Sequence, residues 1–386
     1  MLFEEKEREF LGPKSRSELE FHYLDRSGTE EAKKVRDFLE RIYEEFPDEE
    51  KKDIRSRIQS NRNINFKSAA FEMILFASMK ALGCSLIPHP VLNNGSPKRP
   101  DFLVTTPEGD EFYLEAIVVT EQDLVPGAEA NKNAVLDTLD TLESPNFFLA
   151  IDADGHPNSR PSSRNLNASV SEWLETLNPD EVSREFELNG VTTLPKLEWQ
   201  HDGWEVEFLA IPKNEESRGT GDRLIGMNMP EVRPLDTGRQ IKKAIKTKGN
   251  KYGELSKPLI IAIGVDSKHV DKLTAISALF GDETITIDRN SGDVVGRGRK
   301  PNGAWLSFGG PQYTRVSGAW LFKGNSPWCI AKLKQGLFMN PWANYQVPSY
   351  LDAFPHCKAN SEDELVFEEG FCLGCLLDLP QNWPEN

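Results

Sequence analysis

The sequence predicts a mixed α/β fold: a core running helix, three strands, helix, strand, with a mixed sheet extended by C-terminal strands and an N-terminal helical preface. Three observations predict it. Lys67 to Leu82 is a helical pattern apolar almost all round (Ala69, Ala70, Phe71, Met73, Ile74, Leu75, Phe76, Met79), stopped by Gly83. Two strand-like runs, Asp101–Thr106 and Glu111–Val119, flank the turn residues Pro107, Glu108, Gly109 and Asp110. Further on, Leu259 to Gly264 is apolar throughout, as a strand covered on both faces must be.

Taken in order, residues 1–60 form the expected preface. Its main helix spans Thr29 to Phe46, with Val35, Phe38, Leu39 and Tyr43 on one face and Pro47 as its stop; a charged stretch with Arg55 and Arg57 follows. Residues 61–185 are the expected core: the apolar helix, a short strand Cys84–Pro88, the two runs above, a helix over Lys132–Leu142 and a buried strand Asn146–Ile151. Residues 186–265 are expected to extend the same sheet, with Trp204–Ile211 and Leu259–Gly264 flanking a basic helix over Arg239–Lys248. Asn214 to Asp222, rich in glycine, serine and charge, is a candidate lid loop. Residues 266–386 hold Trp305, Trp320, Trp328 and Trp342 among many turns, and in a non-repeating segment these are expected to be core rather than a platform for stacking bases.

The hairpin carries the chemistry. With the loop centred on Glu108, Asp101 faces Glu115 and both project from one face with Leu103, Thr105, Tyr113 and Ile117. The other face is then wholly apolar: Phe102, Val104, Phe112, Leu114, Ala116 and Val118. A register shifted by one residue would separate the acids and mix the faces. Burying a carboxylate is costly unless it is paired. A divalent metal shared by two carboxylates offsets that cost, and such a site with open positions suits phosphoryl chemistry. Glu72, an acid on the apolar helix, is expected as a third site group, the alternative being a pair with an arginine such as Arg99.

This order of elements and acids resembles the restriction-endonuclease-like superfamily, the PD-(D/E)XK nucleases, over about residues 60–152. Phe66 to Met73, Arg99 to Phe102 and Tyr113 to Ala116 are also similar to uncharacterised bacterial proteins of that type, in which a Lys-Tyr-Gly and a later Asn-Pro-x-Ala recur, as at 251–253 and 340–343 here. The resemblance implies that Glu72 is the helix acid, Asp101 the motif aspartate and Glu115 the motif glutamate. It implies Mg²⁺ or Mn²⁺ on Asp101, Glu115 and Glu72, and hydrolysis of the phosphodiester bonds of DNA, or of RNA. It also implies a setting in bacterial restriction or antiphage defence, with a second copy or a defence-system protein as partner. One position departs from the pattern. The family's lysine, two residues past the glutamate, is Ile117 here. Lys132, on the following helix, is the expected catalytic replacement, with Lys248 or Lys251 of the Lys-x-x-Lys-Tyr-Gly segment as the other source. With neither, the chain would be a nuclease-like binding or sensor module without catalysis.

Composition narrows the classes. A net charge of −16 argues against a general nucleic-acid binder. Arg239, Lys242, Lys243 and Lys246 nevertheless share one helical stripe, the expected nucleic-acid-binding surface, and Arg297-Gly-Arg299-Lys300 forms a second basic group in a glycine-rich turn. Five cysteines do not suggest a secreted disulfide framework. Cys372 and Cys375 have zinc-knuckle spacing, with His356 and Cys357 upstream, but the surrounding leucines favour an ordinary packed segment. No apolar run reaches membrane-spanning length and the N-terminus lacks signal-peptide character, so a cytoplasmic protein is expected.

Overall fold

Helices α1 (Glu20–Arg26), α2 (Glu30–Glu45) and α3 (Asp48–Ile58) precede the apolar helix α4 (Asn63–Ala81) in the computed structural model, which describes all residues except 121–127, 156, 220–223, 229–236, 266–271, 361–363 and 386. The Thr29 hydroxyl caps α2 by accepting from the Ala32 N–H at 3.3 Å. One face of α2 buries Val35, Phe38, Leu39, Ile42 and Tyr43. α4 packs between α2 and α3 on one side and the sheet on the other, which explains its apolar surface all round. It ends at Gly83, whose φ of +86° suits a residue without a Cβ.

Strands β1 (Ser85–Pro88), β2 (Phe102–Thr105) and β3 (Glu111–Val119) follow as an antiparallel set. Phe102 pairs with Leu114 and Thr105 with Glu111, the register that a loop centred on Glu108 requires. Phe102, Val104, Phe112, Leu114, Ala116 and Val118 join α4 in one core, while Leu103, Tyr113 and Ile117 belong to a second core across the sheet.

The chain then enters a separate compact unit, residues 122–234 together with 13–18. It contains α5 (Ala128–Leu139), β4 (Phe147–Gly155), α6 (Ser163–Glu175), α7 (Pro179–Asn189), β5 (Lys196–His201), β6 (Trp204–Pro212) and β7 (Ile225–Asn228). Among the described residues its strands form one sheet in the order β5-β6-β4-β7, over a core that includes Leu136, Leu149, Leu166, Trp204 and Phe208. This corrects two expectations. Among the described residues, neither Asn146–Ile151 nor Trp204–Ile211 joins the hairpin's sheet; the two pair with each other from Phe147↔Pro212 to Gly155↔Trp204. The boundary expected between 185 and 186 falls within α7. An apolar strand pattern reports burial and says nothing about which sheet supplies the cover.

The chain returns to the main unit through α8 (Thr237–Gly249) and β8 (Leu259–Val265), then α9 (Lys272–Phe280), the ribbon β9 (Glu283–Ile287) and β10 (Val294–Arg299), and the short pair β11 (Leu306–Ser307) and β12 (Gly310–Pro311). Strands β13 (Gly318–Lys323), β14 (Lys334–Met339), β15 (His356–Ala359) and β16 (Leu365–Glu368) and the short helix α10 (Leu373–Leu376) complete it. The main sheet, among the described residues, is mixed and runs β1-β2-β3-β8-β13-β14-β15-β16. β8 is parallel to both β3 and β13, and α8 and α9 cover the face opposite α4, so every position of β8 is buried. The strand that joins β3 in its sheet is therefore β8, preceded by α8, whereas the Lys132 helix and the strand after it belong to the other unit. Trp305 and Trp320 are fully buried and Trp328 and Trp342 pack against the cores, in line with the structural reading of these tryptophans. Among the described residues no helix is long and apolar enough to cross a membrane.

Leu114 is sealed between β3 and α4, directly behind the acid-bearing face. Leu114→Ala is expected to lower stability by about 2–5 kcal/mol in urea unfolding monitored by circular dichroism. A loss below about 1 kcal/mol would contradict this packing.

Candidate active site

Asp101 lies immediately before β2, and Glu115 stands at the middle of β3 across from it. The two are interlocked through the backbone. The Asp101 N–H donates to Glu115 Oε2 at 3.2 Å, and the Ala116 N–H donates to Asp101 Oδ2 at 2.6 Å. Asp101 Oδ1 accepts no hydrogen bond among the described residues. Glu115 has no solvent exposure, so its charge must be met by protein groups.

The end of α8 supplies them. Lys248 Nζ donates to Glu115 Oε1, Lys251 Nζ donates to the same oxygen at 2.9 Å, and the Tyr252 hydroxyl donates to Oε2. Local chain features bring these three groups in. Ile241, Ala244 and Ile245 bury one side of α8, and Gly249 lets its end come close to the loop before β13, since a Cβ there would meet Val316 at 2.9 Å. Gly253, with φ +74°, turns the chain after Tyr252. Asn94 Nδ2 pins that turn by donating to the carbonyl oxygens of Tyr252 at 2.8 Å and Glu254 at 2.5 Å.

Glu72 reaches the same region from α4 and is buried, but its oxygens are taken. Arg57 of α3 grips it bidentately, Nη1 to Oε1 at 2.6 Å and Nη2 to Oε2 at 2.5 Å, while Arg57 Nε donates to Asp53 at 2.7 Å. The arginine that pairs with Glu72 is Arg57 rather than Arg99, whose Nη1 donates instead to the His89 carbonyl at 3.4 Å. The Glu72 charge is still felt at Asp101. Burial first, then the charges of Glu115 and Glu72, push the Asp101 carboxyl up to about 8, against the opposing pull of Lys248 and the Ala116 N–H. Burial works against the charge of Lys248, but Glu115 and Asp101 more than offset it and hold the ammonium above its ordinary range. Burial and then Glu115 raise the Tyr252 phenol, so it remains a donor.

Lys132 belongs to α5 of the second unit, and Lys248 and Lys251 both donate to Glu115. Ile117 packs in the second core opposite Ile263 of β8, a position with no use for an ammonium. Arg239, Lys243 and Lys246 are exposed on the outer side of α8, while Lys242 Nζ is committed to the Asn302 carbonyl at 2.7 Å. The Arg297–Lys300 group sits at the end of β10 rather than in a turn, and Arg299 Nη1 donates to the Gly281 carbonyl at 3.0 Å. Cys372 and Cys375 are joined as a disulfide and Cys357 is buried. The candidate lid lies partly outside the described residues.

Two groups escaped sequence reasoning. Tyr252 had a signal in the Lys-Tyr-Gly segment but no assigned role, and Arg57 had only its nearness in sequence to the apolar helix. Among the described residues no three His, Cys, Asp or Glu side chains are set to hold a metal. The donor set, two converging carboxylates with one free oxygen, still fits a hard divalent cation of the Mg²⁺ type, which takes one or two carboxylates and fills its other positions with water and phosphate.

Two measurements test this geometry. Asp101 takes up a proton on folding between the ordinary carboxylate range and about 8, so its contribution to stability is complete at low pH and is lost as the pH rises through that window. In chelator, the melting temperature of wild type is expected to fall more between pH 5 and pH 8 than that of Asp101→Asn; parallel slopes would refute the shift. Arg57→Ala leaves Glu72 without its partner and is expected to cost about 2–3 kcal/mol, below the value for a sealed pair because a quarter of the Arg57 side chain (25%) is exposed. Chemical denaturation reads this directly, and Arg57→Ala/Glu72→Gln should recover part of the loss. No protein-family model, curated protein or solved structure matches this chain, and the chemistry of the cluster rests on its own geometry.

Proposed function

We propose that this protein is a metal-dependent nuclease that hydrolyses phosphodiester bonds of DNA, on a core of the PD-(D/E)XK type. The observation that supports it most is the delivery of Lys248 and Lys251 to Glu115, which returns to the acid pair the ammonium that Ile117 removes from β3. Asp101 and Glu115 would hold Mg²⁺ or Mn²⁺. When bound, that ion supplies Lewis acidity toward the scissile phosphate and acidifies a water.

The chain's own residues divide the remaining work. Lys248, charged and largely buried beside the acids, orients the attacking water and stabilises negative charge growing on the phosphate. Lys251 and Tyr252 hold the Glu115 carboxylate in one orientation, so that little reorganisation is needed when substrate arrives. Arg57 holds Glu72 in place by a bidentate contact, with the Glu72 carboxylate close enough to act on Asp101. The exposed Arg239, Lys243 and Lys246 lie on the helix that ends at Lys248 and offer a local track for a phosphate backbone on an acidic protein. DNA or RNA as substrate, a 5′-phosphate product and a role in restriction or antiphage defence are what the family resemblance alone implies.

A second reading, a nuclease-like binding or sensor module, is favoured by one observation: both lysines already occupy Glu115 Oε1. Nicking of supercoiled plasmid and phage DNA with Mn²⁺ separates the two. Wild type is expected to cut, Asp101→Ala and Glu115→Ala to be inactive, and Lys248→Ala to lose roughly 10²-fold or more. Lys132→Ala should cut normally. Equal cutting by wild type and Asp101→Ala would exclude this site as the catalyst, and absence of cutting together with no Mn²⁺ uptake by calorimetry would establish the second reading.

A further inference from the structure

A cleft of about 760 Å³ opens in the main unit where β8 and β13 end, at Val265 and Lys323. That size is ordinary for a small-molecule site, and the carboxyl ends of parallel strands are where open α/β sheets bind ligands. Its apolar wall includes Leu321, Phe338 and Phe367. Phe338 and Phe367 meet edge to face with centroids 6.4 Å apart, leaving ring surface for a flat group.

Its charge is anomalous. Lys323 and Lys334 both line the cleft and are direct partners across the β13–β14 pair, so their ammonium groups leave the same face of the sheet side by side. Like charges directly opposed in a sheet are destabilising. Neither ammonium has an ion pair or hydrogen bond among the described residues. Lys272, at the first turn of α9, adds a third positive charge 3.1 Å above the Phe367 ring. The cleft's acids do not cancel them: Glu368 is bonded to Lys358 at 2.8 Å, and Glu369 stands exposed at the rim. Around the edge of β14, before β15 begins, the same cleft reaches Gln335. The Gln335 Nε2 donates to the Phe371 carbonyl at 3.1 Å, while its Oε1 is buried with no hydrogen-bond partner.

We propose that this cleft binds a nucleoside phosphate, with the phosphates drawn to Lys323, Lys334 and Lys272 and the base laid on the Phe338–Phe367 wall. The cationic pair asks for more than one negative charge and the ring wall for a flat apolar body; a nucleotide carries both. The site is separate from the acid–lysine cluster and does not rest on the nuclease reading.

Calorimetry and thermal shift on the full chain at low salt, with ADP, GDP, CDP and UDP, pyrophosphate and adenosine, test the proposal. At least one nucleoside diphosphate is expected to bind, to bind more tightly than pyrophosphate or adenosine, and to weaken roughly tenfold or more in Lys323→Gln/Lys334→Gln. Without ligand, that double variant is expected to melt no lower than wild type, because it removes a repulsion. A lower melting point would mean the lysines are satisfied within the fold, and would overturn the proposal. Failure of all four nucleotides would overturn it, as would pyrophosphate binding as tightly as any of them. Displacement of the bound nucleotide by an equimolar single-stranded DNA oligomer would also overturn it, in favour of a polymer track.

Discussion

A carboxylate with no access to water sets the terms for the main unit. Glu115 sits in a strand paired on both sides and covered on both faces, where an isolated charge would face a penalty of several kcal/mol after relaxation. Two ammonium groups, a phenol and a backbone N–H converge on its two oxygens. Because all of the side-chain donors come from the end of α8 and the turn after it, the helix cannot slide along the sheet without exposing an unmet charge. The interaction fixes the position of α8 more sharply than apolar packing of Ile241 and Ile245 alone. The same constraint makes the turn at Gly253 and its clamp by Asn94 part of the site, although neither touches the acids.

A second buried acid is handled differently. Glu72 receives a planar guanidinium from α3, which satisfies both oxygens in one bidentate contact and ties the N-terminal helices to the core. Between the two acids lies Asp101, with backbone help and no cation bonded directly to it, and it alone retains an uncommitted oxygen. The asymmetry separates roles: two carboxylates are neutralised by the fold, and a third is left short of positive charge.

Much of this was legible in the sequence because local chemistry determined it. Turn residues at 107–110 and alternation on both sides leave one register that keeps the two faces clean, and Asp101 opposite Glu115 follows. The apolar helix and the all-apolar strand at 259–264 were equally direct. What stayed hidden was long-range. Strands at 147–155 and 204–212 are as apolar as sheet-interior strands should be, and nothing in their pattern says that they pair with each other instead of with the hairpin. That Lys248 and Lys251 reach Glu115 was long-range in the same way, since they follow it by 133 and 136 positions. Arg57 and Glu72 meet because two helices pack, and no spacing rule connects residues on different helices.

The placement of the second unit has a consequence for biosynthesis. Glu115 and Lys248 stand 133 positions apart, with most of that separation spent on a unit that builds its own sheet and core. A ribosome adding about 5–20 residues per second needs on the order of ten seconds to cover that distance. During that interval the acids have been synthesised but their lysines have not, and β3 still lacks β8 along its edge. The emerging polypeptide therefore carries Glu115 without its ammonium partners until the end of α8 has been made.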